Sequence, residues 1–181
     1  MLTFVLGGAR SGKSRFAQSL CDPTRRVAYL ATATAEDEEM QARIARHRLE
    51  RPSAWATLEE PVGIVEVVDQ QAASFDVIIL DCLTLWLSNW CWEYRSHSPE
   101  QLELSVLEQI ERLSAAARKS HVIAVSNEVG CGIVPESVLG RQFRDLQGIV
   151  NQRVRGEAQT VYQMVAGIPV LIKQRNGASF S

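Results

Sequence analysis

Residues 7–14 read GGARSGKS, the spacing G-x-x-x-x-G-K-[ST]. In that pattern glycines let the chain bend until its N–H groups converge on phosphate oxygens. Gly7, Gly8, Ala9, Arg10, Ser11, Gly12, Lys13 and Ser14 would form the cradle. Lys13 would place a charge among the β and γ oxygens, and the Ser14 hydroxyl suits a Mg²⁺ ion. Such a site also needs an acidic residue at the end of a buried strand. The run VIILD supplies Asp81, whose other possible use is to cap the helix that follows. The two motifs together describe a Mg²⁺-nucleotide site and leave the reaction open.

A second stretch, DEEMQARIARHRLERP, carries Arg43, Arg46, His47, Arg48 and Arg51. On one continuous helix, Arg43, His47 and Arg51 would share a face, while Met40 and Ile44 would form a buried seam. Neighbouring positive charge disfavours a protonated histidine, so His47 is expected to offer a neutral ring nitrogen. Beside a bound nucleotide that nitrogen could attack phosphorus and form a covalent intermediate. A solvated basic face with an incidental histidine uses the same residues equally well.

These groups need a frame. LTFVL (2–6), RVAYLAT (26–32), DVIILD (76–81) and HVIAVSN (121–127) are short apolar runs bounded by turn or polar residues, followed by TVYQMVAG (160–167) and PVLIKQ (169–174). Continuous rather than alternating apolarity predicts strands covered on both faces. Helices are expected over 14–21, over 36–50 behind the acidic turn EDEE, and from the capping box of Ser98, Pro99 and Gln101. In the last of these Leu102, Val106, Ile110 and Leu113 form the buried stripe. A final helix over 136–157 would turn Leu139, Phe143, Leu146 and Val150 inward. The order predicts one domain over 1–181: an α/β, three-layer P-loop fold of RecA-like type, with a doubly wound, mainly parallel sheet and helices on both faces.

Composition narrows the classes. Nineteen basic and twenty-one acidic residues give a net charge of −2, which argues against nucleic-acid binding through bulk charge. Cys21, Cys82, Cys91 and Cys131 show no metal spacing and suit a reducing compartment. The start of the chain shows no signal-peptide pattern, and VIILDCLTLWLSNWCW is too short to span a membrane. A cytoplasmic protein is expected. Leu83, Trp86, Leu87 and Trp90 form one helical stripe, either core or a surface for a subunit or a large ligand. Gly130 and Gly132 flank Cys131 in either a movable cover or a tight turn. His97 and His121 look incidental.

Taken together, GGARSGKS, YLATA, DEEMQARIARHR, RPSAWATLEEP, LDCLTLWLSN, SNEVGCGIVPE and RQFRDLQGIVNQ resemble the bifunctional adenosylcobinamide kinase / adenosylcobinamide-phosphate guanylyltransferase family of cobalamin biosynthesis. The resemblance runs over nearly the whole chain. It implies phosphorylation of the aminopropanol hydroxyl of adenosylcobinamide by ATP or GTP. It further implies transfer of GMP from GTP, through a histidine adduct, to adenosylcobinamide phosphate. The family's guanylylated histidine falls on His47. The implied nucleotide contacts are Gly7 to Ser14, Thr32, Ala33, Thr34, Arg48, Leu49, Glu50, Arg51, Glu59 and Asp81, with Ser14 and Asp81 serving Mg²⁺ directly or through water. It also implies a symmetric homo-oligomer. Arg48 and Arg51 would neutralise charge on the α-phosphate and leaving pyrophosphate, and Glu59 would accept the two donors of a guanine edge. A small-molecule kinase without covalent histidine chemistry, or a GTP-dependent regulatory module without turnover, are the alternatives.

Overall fold

The apolar runs at 2–6, 26–32, 76–81 and 121–127 become the parallel centre of one sheet. The computed structural model describes residues 1–34, 38–49 and 51–175. In chain order the elements are β1 (Leu2–Gly7), α1 (Lys13–Ser19), β2 (Val27–Ala31), α2 (Glu38–Leu49), β3 (Ala56–Glu59), α3 (Ile64–Gln71), β4 (Val77–Asp81), α4 (Leu83–Glu93), α5 (Pro99–Ala116), β5 (His121–Asn127), α6 (Val138–Glu157), β6 (Thr160–Val165) and β7 (Ile168–Gln174). The sheet order is β3-β2-β4-β5-β1-β6-β7. Six strands run parallel, and β7 returns antiparallel to β6. The hairpin turns on Ala166 and Gly167, both with positive φ (50° and 87°), the backbone that a two-residue type I′ turn requires.

Side-chain alternation divides the sheet cleanly. Leu2, Phe4, Ala28, Leu30, Ile78, Leu80, Val122 and Ala124 face a core closed by α3, α4, α5 and α6. Val5, Val27, Tyr29, Ala31, Val77, Ile79, Ile123 and Val125 face the other way, with Ala17 of α1. Leu83, Trp86, Leu87 and Trp90 all point into the first core, so the tryptophan stripe is core rather than a docking surface. The α5 capping box forms as expected, the Gln101 N–H donating to Ser98 Oγ.

Four details depart from the expectations. β3 and α3 are additional elements; β3 is only four residues long, and α3 starts at Gly63 without a side-chain cap. The helix expected over 14–21 spans Lys13–Ser19. Leu139 is 78% exposed, because α6 has 20 residues, about 30 Å, and its first turn overhangs strands of five to seven residues. Phe143 and Leu146 pack against the core and Val150 is fully buried, as expected; Gln147, Asn151 and Val154 are buried alongside them. Finally, α2 ends at Leu49, so Arg51 does not continue the histidine face; Pro52 disfavours helical backbone at the residue before it. Glu50, residues 36 and 37 of the expected helix start, and the side chains of Met40, Arg43 and Arg46 lie outside the described residues. Ile44 is half-buried.

Candidate active site

Gly7 closes β1, and a Cβ there would meet Ser11 Oγ at 2.8 Å and the Met164 carbonyl oxygen at 2.9 Å. Only glycine lets the loop turn this tightly against β6. Arg10 (φ 55°) and Gly12 (φ 90°) supply the left-handed backbone of the turn. Lys13 is 8% exposed. Its Nζ donates to the Gly8 carbonyl at 2.6 Å and lies 3.4 Å from Ser11 Oγ, so the ammonium sits within the bend of the loop. Two neighbours fix the loop from outside: the Glu128 N–H donates to the Gly7 carbonyl at 3.0 Å, and the Gly167 N–H to the Ser11 carbonyl at 3.1 Å.

The acidic partner follows from register and parity. Asp81 ends β4, pairs in register with Ala31 and Val125, and alternates with Val77 and Ile79 toward the α1 face. It does not cap α4, whose cap is Cys82 without a side-chain bond. One strand, β5, separates it from the phosphate-loop strand, so it lies about 10 Å along the edge from β1. The Tyr29 hydroxyl donates to Asp81 Oδ2. Burial first, and then the Asp81 charge, push that phenol far above its ordinary value, so it stays a protonated donor. A hydroxyl at Ser14 and a carboxylate at Asp81 are hard oxygen donors, a set that fits a Mg²⁺ ion retaining several waters.

Alternation also turns Thr57 and Glu59 of β3 to this face, since Ala56 and Leu58 pack on the opposite core. Glu59 is in register with Ala31 and therefore stands at the same edge as Asp81. Its carboxylate is paired with Arg48, the neighbour of His47. That ion pair brings the histidine turn of α2 to the β3 end of the edge. Arg51 supplies a second anchor: its guanidinium stacks 3.6 Å from the centroid of the Tyr29 ring and its Nη1 donates to Thr57 Oγ1 at 3.4 Å. The adjacent Glu60 does local work, accepting from the N–H groups of Val62 and Gly63 at 2.9 and 2.8 Å. His47 is half-buried, and no described hydrogen bond or ion pair joins it to the phosphate loop. Four strand spacings, about 19 Å, separate β3 from β1.

The edge loop after β2 is set by other groups. Thr32 is fully buried; its hydroxyl donates to the Cys82 carbonyl at 2.8 Å and accepts from the Cys82 N–H at 2.9 Å. Its side chain therefore shapes the loop, its one hydroxyl proton already committed to the Cys82 carbonyl. Ala33 and Thr34 are half-buried, and Leu49 is 87% exposed beyond the Arg48 contact.

Tyr29, Asn89 and a polar cluster under the loop escape a reading of the sequence. Asn89 Nδ2 donates to the carbonyls of Thr32 and Pro61, joining the loops after β2 and β3. Beneath β5, Ser126 Oγ donates to Asn151 Oδ1 at 2.7 Å and Asn151 Nδ2 donates to the Asn127 carbonyl at 3.1 Å. Gln147 Nε2 donates to Ser126 Oγ and to Asn151 Oδ1, and the Asn127 N–H donates to Thr84 Oγ1 at 2.8 Å. Asparagine and glutamine at helical spacing from Val150 and Val154 were the available signal. After β5, Ile133 (97%) and Val134 (57%) stand exposed at the same edge.

Residues 3–172 match the family described as cobinamide kinase / cobinamide phosphate guanyltransferase. The chain is 40% identical over 181 residues to the bifunctional adenosylcobalamin biosynthesis protein CobU of Escherichia coli (strain K12), covering 96% of this chain and all of that protein. It is 39% identical over 174 residues to the corresponding CobP of Pseudomonas aeruginosa, covering 96% and 98% of the two chains. A solved structure of an ATPase from the type III secretion system of pathogenic bacteria superposes with a TM-score of 0.56 at 12% identity, over 91% of this chain and 51% of that one, a likeness of fold alone. With the phosphate loop, the strand-end aspartate and the arginine-flanked histidine on one sheet edge, the chain belongs to the cobinamide kinase / cobinamide phosphate guanyltransferase family.

Proposed function

We propose that the protein runs both reactions of its family at this one edge. A nucleoside triphosphate, ATP or GTP, first phosphorylates the aminopropanol hydroxyl of adenosylcobinamide. GTP then guanylylates His47, and the phosphate of adenosylcobinamide phosphate displaces the histidine to give adenosylcobinamide-GDP. The observation that carries this reading is the Arg48–Glu59 ion pair, which ties the His47 turn to the edge holding Asp81 and the phosphate loop.

In phosphoryl transfer the protein mainly positions and neutralises. The loop N–H groups and Lys13 hold the phosphates. Ser14 and Asp81, the latter oriented by Tyr29, would hold Mg²⁺, which when bound offsets charge on the phosphate oxygens. In guanylylation a ring nitrogen of His47 forms a bond to the α-phosphorus as the bond to pyrophosphate breaks. The pyrophosphate leaves with the electron pair, and the ring proton passes to solvent. Arg48 and Arg51 neutralise the charge that develops. Glu59 accepts from the N1–H and amino group of guanine, donors that adenine does not present together. The apolar side chains of Ile133 and Val134 suit the ring face of a corrinoid. The exposed strand carrying Ile168, Val170, Leu171 and Ile172 suits a second copy in a homo-oligomer. Among the described residues no helix is long and apolar enough to cross a membrane; the free cysteines fit the reducing cytoplasm, where we place the reaction.

The test is incubation with GTP labelled at the α-phosphate. Wild type should acquire an acid-labile, base-stable protein label that His47→Asn lacks. An unlabelled wild type would refute guanylyl transfer and leave only a kinase or a GTP-binding module.

A further inference from the structure

We propose that the phosphate loop accepts nucleotides in two opposite directions along the sheet edge, one for each reaction. The proposal rests on the two-reaction reading above and names the base site that each reaction uses.

Phosphoryl transfer requires the γ-phosphate near Lys13 and Asp81. Asp81 lies on the β4 side of β1, so the α-phosphate and nucleoside must leave the loop on the other side, over β6. An open groove of about 300 Å³ lies there, lined by Gly12, Arg15, Phe16, Ser19, Met164 and Gly167. It is continuous with the phosphate cradle. Gly12 belongs to both, and the Gly167 N–H is bonded to the Ser11 carbonyl at 3.1 Å. Phe16 and Met164 give it apolar walls. Phe16 is held edge-to-face against Tyr162 with centroids 4.9 Å apart, and Arg15 and Ser19 form an exposed polar rim. A flat purine with one polar edge fits such a groove. Among the described residues no carboxylate lines it, so the paired donors of guanine meet no bidentate side-chain acceptor there, and adenine and guanine are accepted alike.

Guanylyl transfer requires the α-phosphorus at His47, and Arg48 holds that turn at the β3 end through Glu59. A nucleotide with its base over β6 would send its γ end, not its α end, toward β3. The GTP must therefore lie the other way round, guanine at Glu59 and the β- and γ-phosphates toward Lys13. The loop then holds the leaving pyrophosphate. The same cradle works on γ in one direction and on α in the other, and guanine selectivity enters only in the second.

Two experiments test this on the full chain. Photolabelling with 8-azido-ATP should mark the segments 12–19 or 164–167, whereas 8-azido-GTP should mark both these and the segment around Glu59. Labelling near Glu59 by 8-azido-ATP, or a single shared segment for both probes, would overturn the proposal. In kinetics, Ser19→Phe fills the groove and should raise the KM for ATP in cobinamide phosphorylation at least about tenfold, the weight of a lost base–aromatic stack, while His47 labelling by GTP changes less than about twofold. Glu59→Ala should give the reverse split. Parallel changes in both activities for either variant would count against two directions. A wild type lacking either activity would refute the two-reaction reading instead, and the photolabelling would still decide the orientation.

Discussion

Asn151 tests how far the buried polar cluster supports the phosphate loop. Asn151→Leu keeps the volume and removes three hydrogen bonds, from Ser126 Oγ at 2.7 Å, from Gln147 Nε2 at 3.0 Å and to the Asn127 carbonyl at 3.1 Å. The losses are unequal. Ser126 can turn to Thr84 Oγ1 at 3.4 Å, and Gln147 Nε2 keeps Ser126 Oγ at 3.1 Å, but the Asn127 carbonyl loses its side-chain donor. A half-buried acceptor left without its side-chain donor costs about 1–2 kcal/mol and each of the two weakened bonds roughly a further 0.5–1, a total of about 2–4 kcal/mol. For a chain of 181 residues that lowers Tm by roughly 10 °C.

Urea unfolding followed by circular dichroism measures the loss. Gln147→Leu should cost less, because Gln147 Oε1 has no partner among the described residues and its removal relieves an unpaired acceptor. The double variant should cost less than the two singles together, since both sides of one bond leave at once. Asn127 pairs in register with Gly7, and the next residue's N–H holds the Gly7 carbonyl, so Asn151→Leu should also raise the nucleotide KM. A stability loss below about 0.5 kcal/mol would mean that the cluster is not satisfied as these distances indicate, and strict additivity of the two variants would refute the coupling.

That cluster also shows where a sequence stops being legible. The phosphate loop, Asp81 and the Ser98 capping box are local signals: each is a short spacing whose geometry the neighbouring backbone imposes. The long apolar strands are equally plain. Ser126, Gln147 and Asn151 have residue types that usually face water, and only the approach of α6 to β5 makes them partners. β3 has four residues and takes its identity from pairing with β2, a contact absent from its own composition. Arg51 looks like a helical neighbour of His47 by count, yet Pro52 turns the chain and delivers it to Tyr29, itself an unremarked aromatic in a buried strand. Tertiary contact therefore decides which of two similar arginines stacks on Tyr29 and which pairs with Glu59.

Three further outcomes follow from single contacts. Tyr29→Phe keeps the ring beneath Arg51 and removes only the donor to Asp81; Mn²⁺ titration of the nucleotide-bound protein by electron paramagnetic resonance should show affinity weakened roughly three- to tenfold, and unchanged affinity would detach Asp81 from the metal. Glu59→Gln replaces one acceptor oxygen with a donor facing guanine, so His47 labelling by GTP should fall at least about tenfold; full labelling would remove Glu59 from base recognition. The last concerns pH. Burial, with the nearby amino-terminal charge, pushes His121 down to about 4, and the folded protein holds it neutral with Nε2 2.9 Å from Thr3 Oγ1. In the unfolded chain a histidine titrates near 6.5, so the unfolded state takes up the proton first as pH falls. The contribution is complete above about pH 6.5 and is lost progressively down to about pH 4, by at most roughly 3 kcal/mol, with no further loss from this group below that. Urea midpoints measured from pH 7 to pH 4 should therefore fall more steeply for wild type than for His121→Gln. Equal slopes would assign the acid sensitivity of the fold to other groups.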